Sequence, residues 1–569
     1  MSALAQQSNL QTQENVVDLI TPLERFYHWE KTTPNQVYMH QPYGMGRVEA
    51  FSWERVSQEV RKMAAYLKSL NLEPGSNIAI LSKNCAHWIM SDLAIWLAGH
   101  VSVPLYPTLT AESIRQIMDH SEAKVLFVGK LDDWDTQSPG VPEDVDCISY
   151  PLSPHNNFPS WDEIVSRQPA LTENPLPQPE QIATIIYTSG TTGMPKGVVH
   201  TFQSLSFAAT QASHIYSLDK GDRVLSYLPL SHVAERMAVE LTSLYQSITV
   251  YFAESLDTFA EDLQRAQPTI FFAVPRIWIK FQMGVFAKMP EKRLNLLLKI
   301  PVISGVIKKK LRNALGLDKV RFALSGAAPI SSSLLEWYKK LDLEILEVYG
   351  MTENMGYSHS TRKGESQVGY VGRTNPGMMA RIGDGGEVLV KGPSVMSGYY
   401  KEPGKTDEVL TADGFLRTGD VGILDQKGQL KITGRVKEIF KTSKGKYVAP
   451  APIENKLLED SNIEMACVVG SGLPQPIVVA MLSEVAAEQI KDADVQKTMG
   501  QTFNELLAKV NGDIEKHENL AALVVVKDEW ATENGFLTPT LKIKRNVIDE
   551  RYGANYEAWY NSQDKVIFA

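Results

Sequence analysis

The chain of 569 residues carries 66 acidic against 57 basic side chains, a formal net charge of −9, with 43% hydrophobic and 22% charged residues. That length exceeds one compact core and predicts roughly two to four subdomains, while the composition excludes wholesale disorder and collagen-like repeats. The acidic balance argues against a nucleic-acid partner, whose phosphates need a basic surface.

The opening MSALAQQSNLQTQENVV has no basic residue before Arg25 and no apolar stretch, so no export signal is expected. Cys85, Cys147 and Cys467 lie far apart without a CxxC pair. That spacing offers neither a disulfide framework nor a zinc site and fits a reducing compartment. A cytoplasmic protein is expected, at most peripheral on a membrane.

From residue 50 onward helical spacing alternates with short apolar runs. Ser52–Leu70 reads as a helix, Asn77–Ser82 as a buried strand, and Asp92–Leu97 as a helix. The run LAIWLAGHVSVPLYPTLTA is interrupted by His100, Pro104 and Pro107, so it reads as helix, loop and strand rather than a membrane span. Helix Ala111–His120 and strand Lys124–Val128 follow. Gln137–Glu180, polar and rich in proline, reads as an unstructured surface excursion. Further strands are expected at Ile182–Thr188, Arg223–Leu228, Thr249–Phe252, Ile270–Val274, Arg321–Leu324 and Ile345–Tyr349. Strands separated by helices imply parallel or mixed sheets, hence the α/β class.

Near Gly377 the composition changes to Gly and Asp clusters such as GDGGEVLVKG and LDQKGQLKITGR, which read as hairpins of a β subdomain over about 377–436. The stretch beyond Arg435 is long enough for a separate domain. The expected division is 1–436 and 437–569.

The strongest motif is Tyr187-Thr-Ser-Gly-Thr-Thr-Gly-Met-Pro-Lys-Gly-Val198, directly after the apolar run IATII. Glycines let backbone amides turn toward an anion, hydroxyls add donors, and Lys196 supplies a point charge for a polyphosphate. It is not the GxxxxGK[ST] loop, because Gly follows Lys196.

This motif resembles the signature loop of the adenylate-forming superfamily. Six further segments follow in that family's order: SYLPLSHVAER (226–236), LSGAAP (324–329), VYGMTE (348–353), DGFLRTGDVG (413–422), GRVKEIFKTSKGKYVAP (434–450) and LTPTLKIKR (537–545). The forms PLSHVAER, GKYVAP and LTPTLKIKR most resemble the long-chain fatty acyl-CoA synthetase branch.

The resemblance implies a large N-terminal adenylation domain, a small mobile α+β C-terminal domain and a two-step reaction of fatty acid, ATP and CoA with Mg²⁺. It implies that Thr188, Ser189, Gly190, Thr191, Thr192, Gly193 and Lys196 hold the ATP phosphates, and that Thr188 and Glu353 bind the metal. Gly326, Ala327 and Ala328 would back the adenine against Tyr349, followed by Gly350, Met351 and Thr352. Asp420 would accept the ribose hydroxyls and Arg435 would reach ribose or phosphate. Lys542, rather than Lys544, would bridge carboxylate and α-phosphate; here Thr540-Leu541 stands where Ser-Gly is commoner. Lys437 would be the hinge, and Lys444, Gly445, Lys446 and Tyr447 would line the pantetheine channel. His232 would gate the acyl entrance, with Phe271–Trp278 along the acyl tunnel.

Other readings stay open. A fatty acyl-AMP ligase would deliver to a carrier protein, and a noncatalytic lipid or nucleotide sensor would share the fold. A luciferase-like oxidation shares every motif, whereas no GxSxG string supports a serine hydrolase. The basic segment Lys288–Arg321 suits anionic lipid, the phosphates of CoA or a plainly solvated face. A homodimer and a peripheral membrane contact are both compatible with the sequence.

Overall fold

The computed structural model describes residues 19–188, 194–532, 534–538 and 542–569, apart from the side chain at 302. It is an α/β fold, as expected.

Its largest sheet has seven strands in the order Gly398–Tyr399, Lys196–Thr201, Ile182–Thr188, Val101–Leu105, Asn77–Leu81, Val125–Val128 and Asp146–Ser149. The inner strands run parallel, and the Lys196 strand returns antiparallel to Ile182–Thr188. Along Asn77–Leu81, Ile78 and Ile80 enter one core while Ala79 and Leu81 enter the core on the other face. Burial on both faces explains why the run is apolar without alternation. Helix Trp53–Ser69 covers the first face through Val56, Val60, Met63, Ala64 and Leu67, and the Ser52 hydroxyl caps its start.

A four-stranded sheet (Val48–Ser52, Val37–Pro42, Thr249–Phe252, Arg223–Ser226) stands beside a five-stranded one. The latter runs Ile270–Ala273, Phe322–Ser325, Ile345–Tyr349, His359–Ser360 and Arg373–Thr374. The Arg223 amide donates to the Thr269 hydroxyl at 2.9 Å, and the Thr269 amide to the Arg223 carbonyl at 2.9 Å, which ties the two together. Strands Met379–Ile382, Glu387–Lys391, Leu416–Leu424 and Leu430–Arg435 form an antiparallel sheet in the Gly/Asp-rich region. Beyond it, strands Ile463–Val469, Ile477–Leu482, Leu523–Val526 and Val566–Phe568 make another sheet. Helices Pro450–Leu457 and Ala493–Gly512 pack on one of its faces and Arg545–Tyr552 on the other.

Two expectations need correction. Gln137–Glu180 is not an unstructured excursion: strand Asp146–Ser149 extends the seven-stranded sheet, and helix Trp161–Arg167 buries Trp161 completely. The strand DCIS is too short for period-two alternation to register, and a seven-residue helix held by a Ser160–Glu163 capping box shows too little periodicity. The helix expected at Asp92–Leu97 begins at Ala86, and all twelve residues are buried. A helix without a solvent face has no amphipathic signature. No helix among the described residues is long and apolar enough to cross a membrane.

Candidate active site

Strands Phe322–Ser325 and Ile345–Tyr349 end side by side, and the chain leaves the second through a tight turn. A Cβ at Gly350 would stand 2.4 Å from the Gly356 backbone, so only glycine fits there. The Met351 amide donates to the Asn354 side-chain oxygen at 2.9 Å, with Asn354 fully buried. His200 Nε2 lies 2.6 Å from the Thr352 carbonyl, which can only accept, so this nitrogen carries the proton. Thus the phosphate-loop hairpin and the VYGMTE turn are joined directly.

Glu353 projects from this turn, and its carboxylate accepts the Tyr399 hydroxyl at 2.8 Å. The Lys196 ammonium sits over the Tyr399 ring, 4.8 Å from its centroid, and Lys196 pairs with Thr188 across the hairpin. Thr188, Lys196 and Glu353 therefore border one space. The predicted phosphate ligands Ser189, Gly190, Thr191, Thr192 and Gly193 lie outside the described residues.

Asp420 and Arg435 face each other across antiparallel strands, with Arg435 Nε donating to Asp420 Oδ1 at 2.9 Å. The other Asp420 oxygen accepts the Tyr349 hydroxyl at 2.7 Å. Each carboxylate oxygen has two acceptor sites, so Asp420 is held rigid yet keeps capacity for further donors. Ala327 takes a left-handed conformation (φ 66°) just past the Phe322–Ser325 strand, leaving Ala327 and Ala328 exposed. Gly326 is small for a different reason from the expected approach of a flat base: a Cβ there would meet the Val348 carbonyl at 2.9 Å.

Lys542 comes to this site from the far C-terminal part. Its amide donates to the Thr538 hydroxyl at 3.1 Å and its carbonyl accepts the Thr538 amide at 2.8 Å. Removal from bulk water lowers the pKa of its ammonium and the Arg435 charge adds to this, while Asp420, Glu353 and Glu438 oppose it. Lys542 is nonetheless solvent-exposed, so water screens part of these effects. His232 feels the same lysine: burial first, then Lys542, lowers its pKa to about 4. Its Nδ1 accepts the Ala234 amide at 3.2 Å, which leaves the proton of the neutral ring on Nε2. Glu235, one turn on, accepts the Ser226 hydroxyl and the Tyr227 amide at 2.9 Å each, and Asn84 donates to both Glu235 and the Leu228 carbonyl. These bonds hold the loop that carries His232.

Residues 26–400 match the family described as AMP-binding enzyme, and residues 437–564 match the AMP-binding enzyme C-terminal domain. The chain belongs to the AMP-binding enzyme family. It is 32% identical to the long-chain-fatty-acid–CoA ligase FadD15 of Mycobacterium bovis over 560 residues, covering 89% of this chain and 92% of that protein. It is 30% identical to the peroxisomal long chain acyl-CoA synthetase 6 of Arabidopsis thaliana, covering 84% and 77%. Among solved structures, the adenylation domain of a carboxylate reductase from Mycobacterium chelonae has a TM-score of 0.80 at 21% identity, covering 95% of this chain and 91% of that one. The anthranilate CoA ligase AuaEII has a TM-score of 0.76 at 19% identity, covering 95% and 98%. Those two likenesses concern the fold. Together with the family match they bear out the sequence resemblance.

In this AMP-binding enzyme the expected CoA-channel residues do not join the cluster. Lys444, Gly445, Lys446 and Tyr447 stand exposed around the turn between strands Phe440–Lys441 and Tyr447–Val448. The Ser443 amide donates to the Leu473 carbonyl and His517 contacts the Tyr447 carbonyl, both on the C-terminal part. Lys437 is exposed in the turn after Arg435. Sequence reading missed Tyr399, His200 and Asn354. A tyrosine in VMSGYYK carries no signal; the contact of Tyr399 with Glu353 arises from chain folding across 46 positions.

Burial of titratable groups gives this enzyme a pH signature. Burial lowers His87 and His359 to about 3, and His200 and His232 to about 4. These four contribute stability fully present above the unfolded value near 6.5, lost as pH falls toward 4 for His200 and His232 and toward 3 for His87 and His359. Burial raises Glu235 and Glu347 to about 8. Their contribution is fully present below the unfolded value of 4.5 and is lost as pH rises toward 8. Burial likewise lowers His40, His100 and His120 and raises Glu240 and Glu454, so from pH 4.5 to 6.5 the histidines outnumber the carboxyls, and above 6.5 the carboxyls dominate. The melting temperature should therefore peak near pH 6.5, and Glu235→Gln should flatten the alkaline side. A melting temperature that climbs steadily from pH 6.5 to 8 in calorimetry would contradict this.

Proposed function

We propose that this AMP-binding enzyme is a long-chain fatty acid–CoA ligase. A fatty carboxylate oxygen attacks the α-phosphorus of ATP and pyrophosphate leaves with its electron pair. The CoA thiol then attacks the acyl carbonyl, loses its proton and expels AMP. The observation that carries the reading is the meeting of Tyr349, Asp420 and Arg435 from separate segments of the chain, near enough to Lys542 for the Arg435, Asp420 and Glu353 charges to act on its ammonium. Such a reaction depends on positioning and on offsetting charge, because the phosphoryl group is already activated.

Asp420, fixed by Tyr349 and Arg435, has acceptor capacity suited to ribose hydroxyls. Arg435 and Lys542 place positive charge where the carboxylate must approach a negatively charged α-phosphate. Neutral His232 offers an Nε2–H to the carboxylate without adding charge. Residues 437–569 would form the mobile unit, turning at Lys437 to bring Lys444–Tyr447 to the thiol.

Glu353 and Thr188 offer hard oxygens, and the described residues contain no group of three or more His, Cys, Asp or Glu able to hold a metal alone. That donor set fits Mg²⁺, which keeps waters and takes its other ligands from phosphates. Bound there, it would offset phosphate charge. Glu353→Gln should slow pyrophosphate release by at least about tenfold, roughly 1.4 kcal/mol of barrier, with an unchanged melting temperature. An unaltered rate across a Mg²⁺ titration would take Glu353 out of the site.

Purified protein given ATP, Mg²⁺ and a ladder of fatty acids, with and without CoA, tests the whole reading. AMP and acyl-CoA should form together, and fastest with long chains. ADP as product would overturn it, as would adenylate that ignores CoA and passes only to a carrier protein.

A further inference from the structure

Helix Glu291–Leu298 and helix Pro301–Ala314 follow one another on the outside of the five-stranded sheet. In the second, Ser304, Ile307 and Leu311 turn inward, and the two aliphatics pack on the core that contains Phe271, Trp278 and Trp337. The helical period then points Ile303, Val306, Lys309 and Lys310 outward. Ile303 and Val306 are 42% and 67% exposed, and Leu296 and Ile300, just before them, are 64% and 40% exposed. Single exposed aliphatics need no explanation, but four within eleven residues of chain, on two consecutive helices and the link between them, are a concentration that scattered exposure does not account for.

The charge around these aliphatics runs against the rest of the molecule. From Lys288 to Arg312 there are eight basic residues and one acidic, in a chain of net charge −9. Lys308 and Arg312 pair with Asp342, and Arg312 also with Asp318. Lys288, Lys292, Arg293, Lys299, Lys309 and Lys310 have no ion pair among the described residues.

We infer that this helix pair docks on an anionic lipid bilayer, with the aliphatics entering the headgroup–acyl boundary and the free cations meeting lipid phosphates. Free phosphates would need the cations alone; only a bilayer also takes up the aliphatic side chains between them. The surface stands without the ligase reading, which adds only a reason for the contact: fatty acids partition into bilayers.

The test uses the full chain without substrate, in cosedimentation with vesicles of phosphatidylglycerol and phosphatidylcholine in equal parts, against phosphatidylcholine alone. Binding is expected to the anionic vesicles only and should weaken with salt. Lys309→Gln with Lys310→Gln should reduce partitioning about thirtyfold, two charges at about 1 kcal/mol each. Ile303→Ser with Val306→Ser should reduce it at least tenfold with charge unchanged. Circular dichroism melts, and activity on detergent-dispersed fatty acid, should match the parent in both double variants. The inference is overturned if anionic vesicles do not bind, if neutral vesicles bind equally, or if the serine pair binds like the parent. Capture by an acidic carrier protein with no vesicle binding would also overturn it. Vesicle binding by a chain that makes no acyl-CoA would instead defeat the ligase reading and leave this one standing.

Discussion

Lys542→Ala should reduce adenylate formation by about 10²–10³, the cost of losing one preorganised charge at a developing transition state. It should largely spare thioester formation from supplied acyl-adenylate. Lys542 lies close enough to Arg435, Asp420 and Glu353 for their charges to act on its ammonium, while Lys444–Tyr447 stand exposed. An ion pair between Arg276 and Glu464 joins that part to the rest of the chain in this arrangement. If the second half-reaction needs the opposite arrangement, the lysine is not present for it. Lys437→Pro provides the converse. The turn at Lys437 is closed by the Glu438 and Ile439 amides, each donating to the Arg435 carbonyl at 3.1 Å. The Lys437 amide takes no part in those bonds, so proline acts there through its fixed φ near −65° rather than through a lost donor. Adenylation should remain measurable while thioester formation falls at least about tenfold. Both half-reactions are read separately, as pyrophosphate release and as thioester from added acyl-adenylate. Equal losses in both variants at unchanged melting temperature would mean that the C-terminal part does not alternate.

Arg236→Met should be the most destabilising single change. Arg236 is fully buried with Asp92 and Glu240, paired to both, and donates to the Thr184 hydroxyl at 2.6 Å. Its guanidinium also lies over the rings of Trp88 and Trp96. Burial, followed by the neighbouring Asp92 charge, pushes Glu240 well above the carboxylate range although Arg236 opposes this. One guanidinium thus faces two buried carboxyl groups. Removing Arg236 leaves Asp92 buried without its counter-charge, a loss of about 3–5 kcal/mol. Against a total stability of about 5–15 kcal/mol, much of the protein should unfold or precipitate. Replacing all three together, Arg236→Met with Asp92→Leu and Glu240→Leu, should recover much of the loss because no buried charge remains. A single variant melting within about two degrees of the parent would show that water reaches the trio.

Much of this was legible without coordinates. NIAIL and IATII read as strands because burial on both faces selects uninterrupted apolar runs. The Asp420–Arg435 pair lies within one stretch of local hairpins, so neighbouring positions in sequence became neighbours in space. Class, most inner strands and the family resemblance therefore follow from local pattern. Other relations have no local signal. Tyr349 and Asp420 are 71 positions apart, Tyr399 and Glu353 46, and Arg236 and Asp92 144. Which of 21 tyrosines meets a carboxylate depends on how sheets stack, and stacking is set by side-chain volumes summed over whole cores. The outward face of helix Pro301–Ala314 was equally undecided. A basic, aliphatic sequence says only that one side is buried, and packing of Ile307 and Leu311 determined that Ile303 and Val306 face solvent. Sequence alone settled what each segment is; tertiary packing decided which side chains meet, because those contacts close long loops whose entropy cost only a completed core offsets.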